Sequence, residues 1–118
     1  MKQEDKDLLL KDLCARLPYF TKVQIKNEIV VLDSICDDDG YHFNFIGDDR
    51  EGVNIEEIKP YLFPISSMTE EQKEDMIKSS CGIGSDKNVF DWYNKNHFDY
   101  RGLIPMGLAN DATGLNIY

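Results

Sequence analysis

The stretch that decides the fold is residues 23–46, VQIKNEIVVLDSICDDDGYHFNFI. Apolar and polar side chains alternate over 23–26 and again over 41–46, and residues 29–32 form an apolar, mostly β-branched run. A period of two places alternate side chains on one face of a strand, and β-branched and aromatic residues are enriched in strands. The stretch therefore predicts three β-strands in succession.

The segments between these runs have the composition of turns. Residues 27–28 fit a tight turn, and residues 37–40, DDDG, contain the Asp and Gly that turns favour. Residues 53–55 add a short fourth strand. We expect an antiparallel meander of three or four strands, in a form able to curl into a small open barrel.

Residues 4–17, which precede the strands, have the period of an amphipathic helix. The apolar stripe repeats at intervals of three and four and consists of Leu9, Leu10, Leu13, Cys14 and Leu17. Arg16 lies near the carboxyl end, where the helix dipole favours a positive charge. Pro18 ends the helix, because the residue before a proline avoids the α region. We expect Cys14 to be a core residue.

Two further short helices follow the strands. Thr69 and Gln72 match a capping box, in which each side chain bonds the backbone N–H of the other residue, and this predicts a helix over 70–79. Gly82 and Gly84 then end this helix, and Ser85 or Asp86 can cap a last helix.

Two apolar segments lack a regular period. Pro60 and Pro64 bracket the sequence YLF, which predicts an extended crossing that places large side chains on the core. Residues 97–118 are apolar but interrupted by glycines, so we expect them to pack as irregular chain. With the helices and the meander, these segments predict an α+β fold in a single domain, 1–118.

The negative charge is concentrated in one part of the chain. Residues 33–57 contain nine acidic residues and one base, Arg50, so they carry a net charge of −8 out of −9 for the protein. The rest of the chain has 13 acidic and 12 basic residues and is almost neutral. Direct nucleic-acid binding is disfavoured, because phosphate contacts need Lys and Arg gathered on one face.

The sequence lacks the residue spacing of common metal and redox sites. Cys14, Cys36 and Cys81 include no Cys-x-x-Cys pair, so we expect three reduced thiols. Neither His42 nor His97 has a Cys or a second His at ligand spacing. We therefore expect no cofactor and no catalytic constellation.

Two local motifs have weaker functional interpretations. When Gly40 is aligned with the invariant glycine of an EF-hand loop, apolar residues fall at ligand positions, so the EF-hand pattern does not fit. The remaining metal hypothesis is a looser, weak divalent-ion site that the Asp37–Asp39 turn forms with Asp48 and Asp49. Residues 81–87, CGIGSDK, look like a phosphate-binding loop but follow a helix where a strand is required.

Residues 97–101, HFDYR, are the segment densest in functional groups. Asp99 can pair with Arg101 or with His97 and so fasten the chain after the last helix. Alternatively, the segment is part of a recognition surface, because Tyr and Arg are favoured interface anchors. The candidate interaction surface then consists of Asp37, Asp38, Asp39, Asp48, Asp49, Glu51, His97, Tyr100 and Arg101.

Three blocks carry a resemblance to a known family: residues 8–19 (LLLKDLCARLPY), 59–72 (KPYLFPISSMTEEQ) and 96–109 (NHFDYRGLIPMGLA). They resemble a family of short uncharacterised proteins encoded by phages, prophages and other mobile elements of anaerobic gut bacteria. The resemblance implies a shared scaffold whose core the three blocks form, and it implies no activity, ligand or catalytic residue. Family members usually have Gly after the Pro–Tyr pair, where this chain has Phe20.

These observations favour a non-enzymatic protein-binding accessory module of a phage or mobile element. We expect it in the cytoplasm, since no apolar run is long enough to span a membrane and the polar start does not match a secretion signal. Its partner is a protein with a basic surface, and in a sharper version the acidic turns mimic nucleic-acid charge in a basic groove. The alternatives are a homo-oligomeric structural protein, with the oligomeric state open, and a small-molecule enzyme that uses residues 97–101.

Overall fold

A computed structural model describes residues 1–79 and 85–118, without the side chains of residues 85 and 86. The predicted glycine break, the phosphate-loop interpretation of 81–87 and the cap by Ser85 or Asp86 fall at least partly outside the described residues. The helices are α1 (Gln3–Ala15), α2 (Glu70–Ser79) and α3 (Ser85–Lys95). The strands are β1 (Lys22–Ile25), β2 (Glu28–Asp37), β3 (Tyr41–Phe45), β4 (Ile58–Pro64), β5 (Phe98–Asp99) and β6 (Asn110–Asp111).

The three predicted consecutive strands are confirmed. In β1 the side chains of Val23 and Ile25 are buried, and in β3 those of Phe43 and Phe45 are buried, as the alternation indicates. The first turn lies one residue earlier than predicted, since β2 already begins at Glu28. β2 also continues as far as Asp37, with an irregularity in its pairing to β3 between Leu32 and Ser34.

The sheet is mixed rather than a simple meander. Its order is β3-β2-β1-β4-β5, with β6 also paired to β4. The proline-bracketed crossing is strand β4, which is antiparallel to β1, whereas β5 and β6 lie parallel to β4. The predicted strand over 53–55 is wrong, because Ile55–Glu57 form a 3-10 turn. The sheet does not close into a barrel.

Helix α1 packs on the sheet with a different stripe from the one predicted. Leu9 and Leu13 are fully buried, but Cys14 is exposed, so the core assignment of this cysteine is wrong. The buried face instead includes Asp12 and Arg16, because residues three and four apart share a helix face. The helix ends at Ala15, and Pro18 belongs to the following 3-10 turn, Leu17–Tyr19.

The capping box that begins α2 is confirmed by two hydrogen bonds. The Gln72 N–H donates to the Thr69 hydroxyl at 3.1 Å, and the Thr69 N–H donates to the Gln72 side-chain oxygen at 2.8 Å. In α3 the indole N–H of Trp92 donates to the Asp75 carboxylate at 2.8 Å and so joins the two helices.

The C-terminal segment is largely irregular and packs on the core, as predicted. Leu103, Leu108 and Ala112 are buried, and the backbone N–H of Ala112 donates to the Leu62 carbonyl at 2.8 Å. None of the helices within 1–79 and 85–118 combines the length and apolar character needed to cross a bilayer.

Candidate functional site

The β2–β3 hairpin carries three consecutive aspartates at its tip. Asp37 ends β2, and Asp38 and Asp39 form the turn with Gly40. The turn requires left-handed backbone at its last two positions (φ of 51° at Asp39 and 109° at Gly40), which Asp tolerates and Gly permits. All three aspartate side chains are exposed, so the local sequence projects their charge into solvent.

A second acidic group follows β3. Within it, the Arg50 Nε donates to the Asp48 carboxylate at 2.9 Å, and the Arg50 guanidinium also contacts Glu28 at 2.7 Å. The hydrogen bond from the Arg50 side chain is the main reason why the pKa of Asp48 is lowered. Asp49 and Glu51 are exposed. Arg50, the only base between residues 33 and 57, is thus already occupied.

Five carboxylates at the hairpin tip and just after β3 keep an uncompensated charge. Within the described part of the chain, no Lys, Arg or His nitrogen lies within 4.0 Å of the carboxylates of Asp37, Asp38, Asp39, Asp49 and Glu51. Like charges close together repel one another, and an approaching cationic surface relieves that repulsion. The region is therefore electrostatically suited to a positively charged partner.

A groove runs between β3 and the segment 50–54. Its volume is about 670 Å³, and Tyr41, Phe43, Glu51 and Val53 are among the residues that line it. A smaller cavity of about 210 Å³ shares Tyr41, Phe43 and Val53 and extends to α1. Tyr41 is 52% exposed, so an accessible aromatic ring adjoins the acidic hairpin.

Tyr41 and Val53 were missed as site residues by sequence reasoning. The sequence does contain a signal for Tyr41, because this residue directly follows the DDDG turn and shares a strand face with Phe43. Nothing in the sequence indicates that residues 50–54 face that strand across a groove.

The predicted site residues of segment 97–101 lie elsewhere. The strand order places β3 at one edge of the sheet and β5 at the other, with three strands between them. His97 directly precedes β5, and Tyr100 and Arg101 directly follow it. The structure thus divides the predicted surface into an acidic half and a separate His-Tyr-Arg half.

Tyr100 and Arg101 belong to a network around a buried ion pair. Arg101 Nε donates to the Asp12 carboxylate at 3.1 Å, and its Nη2 donates to the Tyr100 hydroxyl at 2.8 Å. The Arg101 guanidinium also lies 4.7 Å from the Tyr100 ring centroid, a cation–π distance. The fully buried Arg16 also donates to the Asp12 carboxylate and completes the network.

The predicted pairing of Asp99 with Arg101 or His97 is wrong. The Asp99 carboxylate instead accepts the backbone N–H groups of Leu103 and Ile104, each at 2.9 Å. It therefore fastens the chain after β5, as expected, but through backbone donors.

His97 packs against the C-terminal part of the chain. Its ring stacks on Tyr118 with centroids 3.7 Å apart, and its Nδ1 is buried without a hydrogen-bond partner among the described residues. Burial is the main cause that lowers the pKa of His97 to about 4, with the nearby positive charges of Arg16 and Lys22 as further causes. The ring is therefore neutral at pH 7.

The described residues contain no group of three or more His, Cys, Asp or Glu side chains placed to hold a metal ion. Asp48, one of the two aspartates in the looser divalent-ion hypothesis, is engaged by Arg50 instead. In comparisons with known proteins, no family model, no curated protein and no solved structure matches the chain.

Proposed function

We propose that this protein is a non-enzymatic protein-binding module, an accessory protein of a phage or mobile element, whose partner presents a basic surface. The observation that carries the proposal is the position of Tyr41. This half-exposed ring directly follows the hairpin turn, opposite Asp37, and the three aspartates at the hairpin tip are all exposed. Aromatic anchors beside charged rims are typical of protein interfaces.

The two features have different roles in this proposal. The carboxylates attract a basic partner over about 10 Å at moderate ionic strength, which raises the association rate and makes it sensitive to salt. The groove beside Tyr41 supplies apolar contact, since Phe43 and Val53 line it, and contact of this kind slows dissociation. Charge therefore selects the partner and the groove retains it.

The other hypotheses have less support. A homo-oligomer that pairs through the β3 edge would bring two acidic hairpins together, and that repulsion opposes association. A small-molecule enzyme at residues 97–101 would need free polar groups that converge on a cavity. Instead, Arg101 donates hydrogen bonds to the Tyr100 hydroxyl and to the Asp12 carboxylate.

Affinity capture from host lysate tests the proposal with matched variants. The test variant carries Asp37→Asn, Asp38→Asn and Asp39→Asn. The control carries Glu4→Gln, Glu71→Gln and Glu74→Gln, which change the net charge equally at exposed helical sites. We expect wild type and control to retain the same proteins at low salt and release them at high salt, and the hairpin variant to retain none. Equal capture by the hairpin variant would refute the proposal.

A further inference from the structure

The β3 strand is an edge of the sheet, and its outer side faces the groove. Within residues 1–79 and 85–118, β3 pairs with β2 along one side, and the strand order ends at β3. On the other side only Phe45, its last residue, forms an isolated antiparallel bridge, with Asp48. An edge strand presents unpaired N–H and C=O groups to which another chain can add. Which of its residues turn these groups outward follows from the hydrogen bonds at the two ends of β3.

Even-numbered residues of this region turn their backbone groups toward β2. The N–H of Ile46 donates to the Val31 carbonyl at 2.9 Å, and the Gly40 carbonyl accepts the N–H of Asp38 at 3.0 Å. Phe45 faces the other way, since its carbonyl accepts the Asp48 N–H at 3.4 Å. Because backbone direction alternates along an antiparallel strand, Tyr41 and Phe43 also point outward.

These outward groups are open to a ligand. Among residues 1–79 and 85–118, no hydrogen bond engages the outward N–H or C=O of Tyr41 or Phe43. Tyr41, His42, Phe43 and Asn44 all line the 670 Å³ groove, so the edge opens into a preformed space. Segment 50–54 forms the opposite wall.

We propose that this groove binds an extended basic segment of a partner protein, which adds to the outer edge of β3 as a further strand. The inference rests on the proposed function and specifies its mode of binding. Side chains of an added strand alternate between the two sheet faces. One set would lie beside the rings of Tyr41 and Phe43, and the other beside His42 and Asn44.

Charge complementarity favours a basic partner over a second copy of this chain. The hairpin aspartates lie at one end of β3, and Asp48, Asp49 and Glu51 follow its other end. A six-residue extended peptide spans roughly 20 Å, long enough to reach past both ends of the five-residue strand. Lys or Arg near its termini would meet carboxylates, whereas a second acidic copy would meet repulsion at both ends.

Amide hydrogen exchange of the full chain, followed by NMR, tests the inference with a defined probe. The probe is a capped seven-residue peptide of alternating Lys and Val, and the matched control replaces each Lys with Glu. At saturation we expect the exchange of the Tyr41 and Phe43 amides to slow by about tenfold or more, because each gains a hydrogen-bond acceptor. In an added strand, alternate residues direct their N–H groups toward β3. N-methylation of those residues in the Lys-Val peptide removes these donors and should abolish binding.

The outcomes separate the inference from the function on which it rests. Charge-dependent binding of the Lys peptide without slower exchange at Tyr41 and Phe43 would overturn strand addition alone. Equal affinity for the Lys and Glu peptides would overturn the proposed basic partner. Absence of Lys-peptide binding at low ionic strength would overturn the inference, and the capture experiment would then decide the proposed function independently.

Discussion

The side chains of Arg16 and Asp12 form a bidentate ion pair that is fully buried beneath the C-terminal segment. Arg16 Nε donates to one carboxylate oxygen at 2.8 Å and Nη2 contacts the other at 3.1 Å. The same Nη2 donates to the Phe98 carbonyl at 2.6 Å. The pair thus joins the end of α1 to β5, 82 residues further along the chain.

Asp12→Asn should destabilise the protein by about 3–5 kcal/mol, because it leaves the buried Arg16 guanidinium without its counter-charge. Urea unfolding followed by circular dichroism measures the loss. Asp7→Asn, on the exposed face of the same helix, is the control and should change stability by less than about 0.5 kcal/mol. Arg16→Met should cost less than Asp12→Asn, since Arg101 still pairs with Asp12. The reverse order would contradict this account of the network.

His97 makes stability depend on pH. Its pKa in the folded protein, about 4, is below the ordinary value of 6.5, so between these values the unfolded chain binds more protons than the folded protein. The contribution of His97 to the free energy of unfolding is therefore fully present above about pH 6.5 and is lost as the pH falls toward 4. We expect His97 to account for a loss of about 1–2 kcal/mol, less than the full shift because solvent reaches part of the ring.

The measurement is urea unfolding at several pH values for wild type and His97→Asn. Asn tolerates the left-handed backbone at this position, where φ is 63°, and it does not titrate. The variant should lose less stability between pH 6.5 and pH 4 than wild type. Parallel curves for wild type and His97→Asn would show that another group dominates.

Thr69→Ala should cost about 1 kcal/mol, because it removes the hydroxyl that accepts the Gln72 N–H at the start of α2. Thermal unfolding measures the change. Thr69→Ser keeps the hydroxyl and should stay within a few tenths of a kcal/mol of wild type. A loss with Ser equal to that with Ala would assign the effect to the methyl group instead of the cap.

Phe20→Gly should stabilise the protein by about 0.5–1 kcal/mol. Phe20 has φ of 55° and ψ of 47° and a largely exposed ring, so a bulky residue occupies a left-handed position with little burial in return. Gly relieves a strain of about 1–2 kcal/mol there and returns part of it through greater freedom in the unfolded chain.

Phe20→Ala separates the backbone from the ring. Ala removes the ring but keeps the Cβ atom that disfavours this conformation. Urea unfolding should therefore show no gain for Ala and a gain for Gly. Equal gains would mean that exposure of the ring, and not the backbone, limits stability at this site.

Local patterns were sufficient for the elements that repeat with a regular period. The alternation around Val23 and Phe43 predicted β1 and β3, and the Thr69–Gln72 pair predicted the start of α2. Apolar residues alone place Cys14 on the wrong face, because the buried face of α1 also holds the polar residues Asp12 and Arg16. The spacing of Asp12 and Arg16 on the face of Leu9 and Leu13 was the overlooked signal for a buried ion pair.

The candidate site was predictable in its charge but not in its shape. The three aspartates before Gly40 indicated an acidic turn, and they are exposed as expected. The groove beside Tyr41 depends on where segment 50–54 lies, and no periodic pattern in that segment records its position. The predicted surface is divided between the β3 and β5 edges of the sheet because strand pairing separates them, and no local pattern records that pairing.

The sequence by itself determined the α+β class, the order of the early strands and the confinement of negative charge to residues 33–57, since these properties depend on composition and on neighbours a few positions apart. Only the tertiary structure decided that β4 pairs with β1, that β5 and β6 join it in parallel, and that Arg16 is buried. Each of these results needs contacts between distant segments; the Phe98 carbonyl that accepts a hydrogen bond from Arg16 is 82 residues away along the chain. Their free energy depends on how the whole chain packs, and local periodicity does not contain that information.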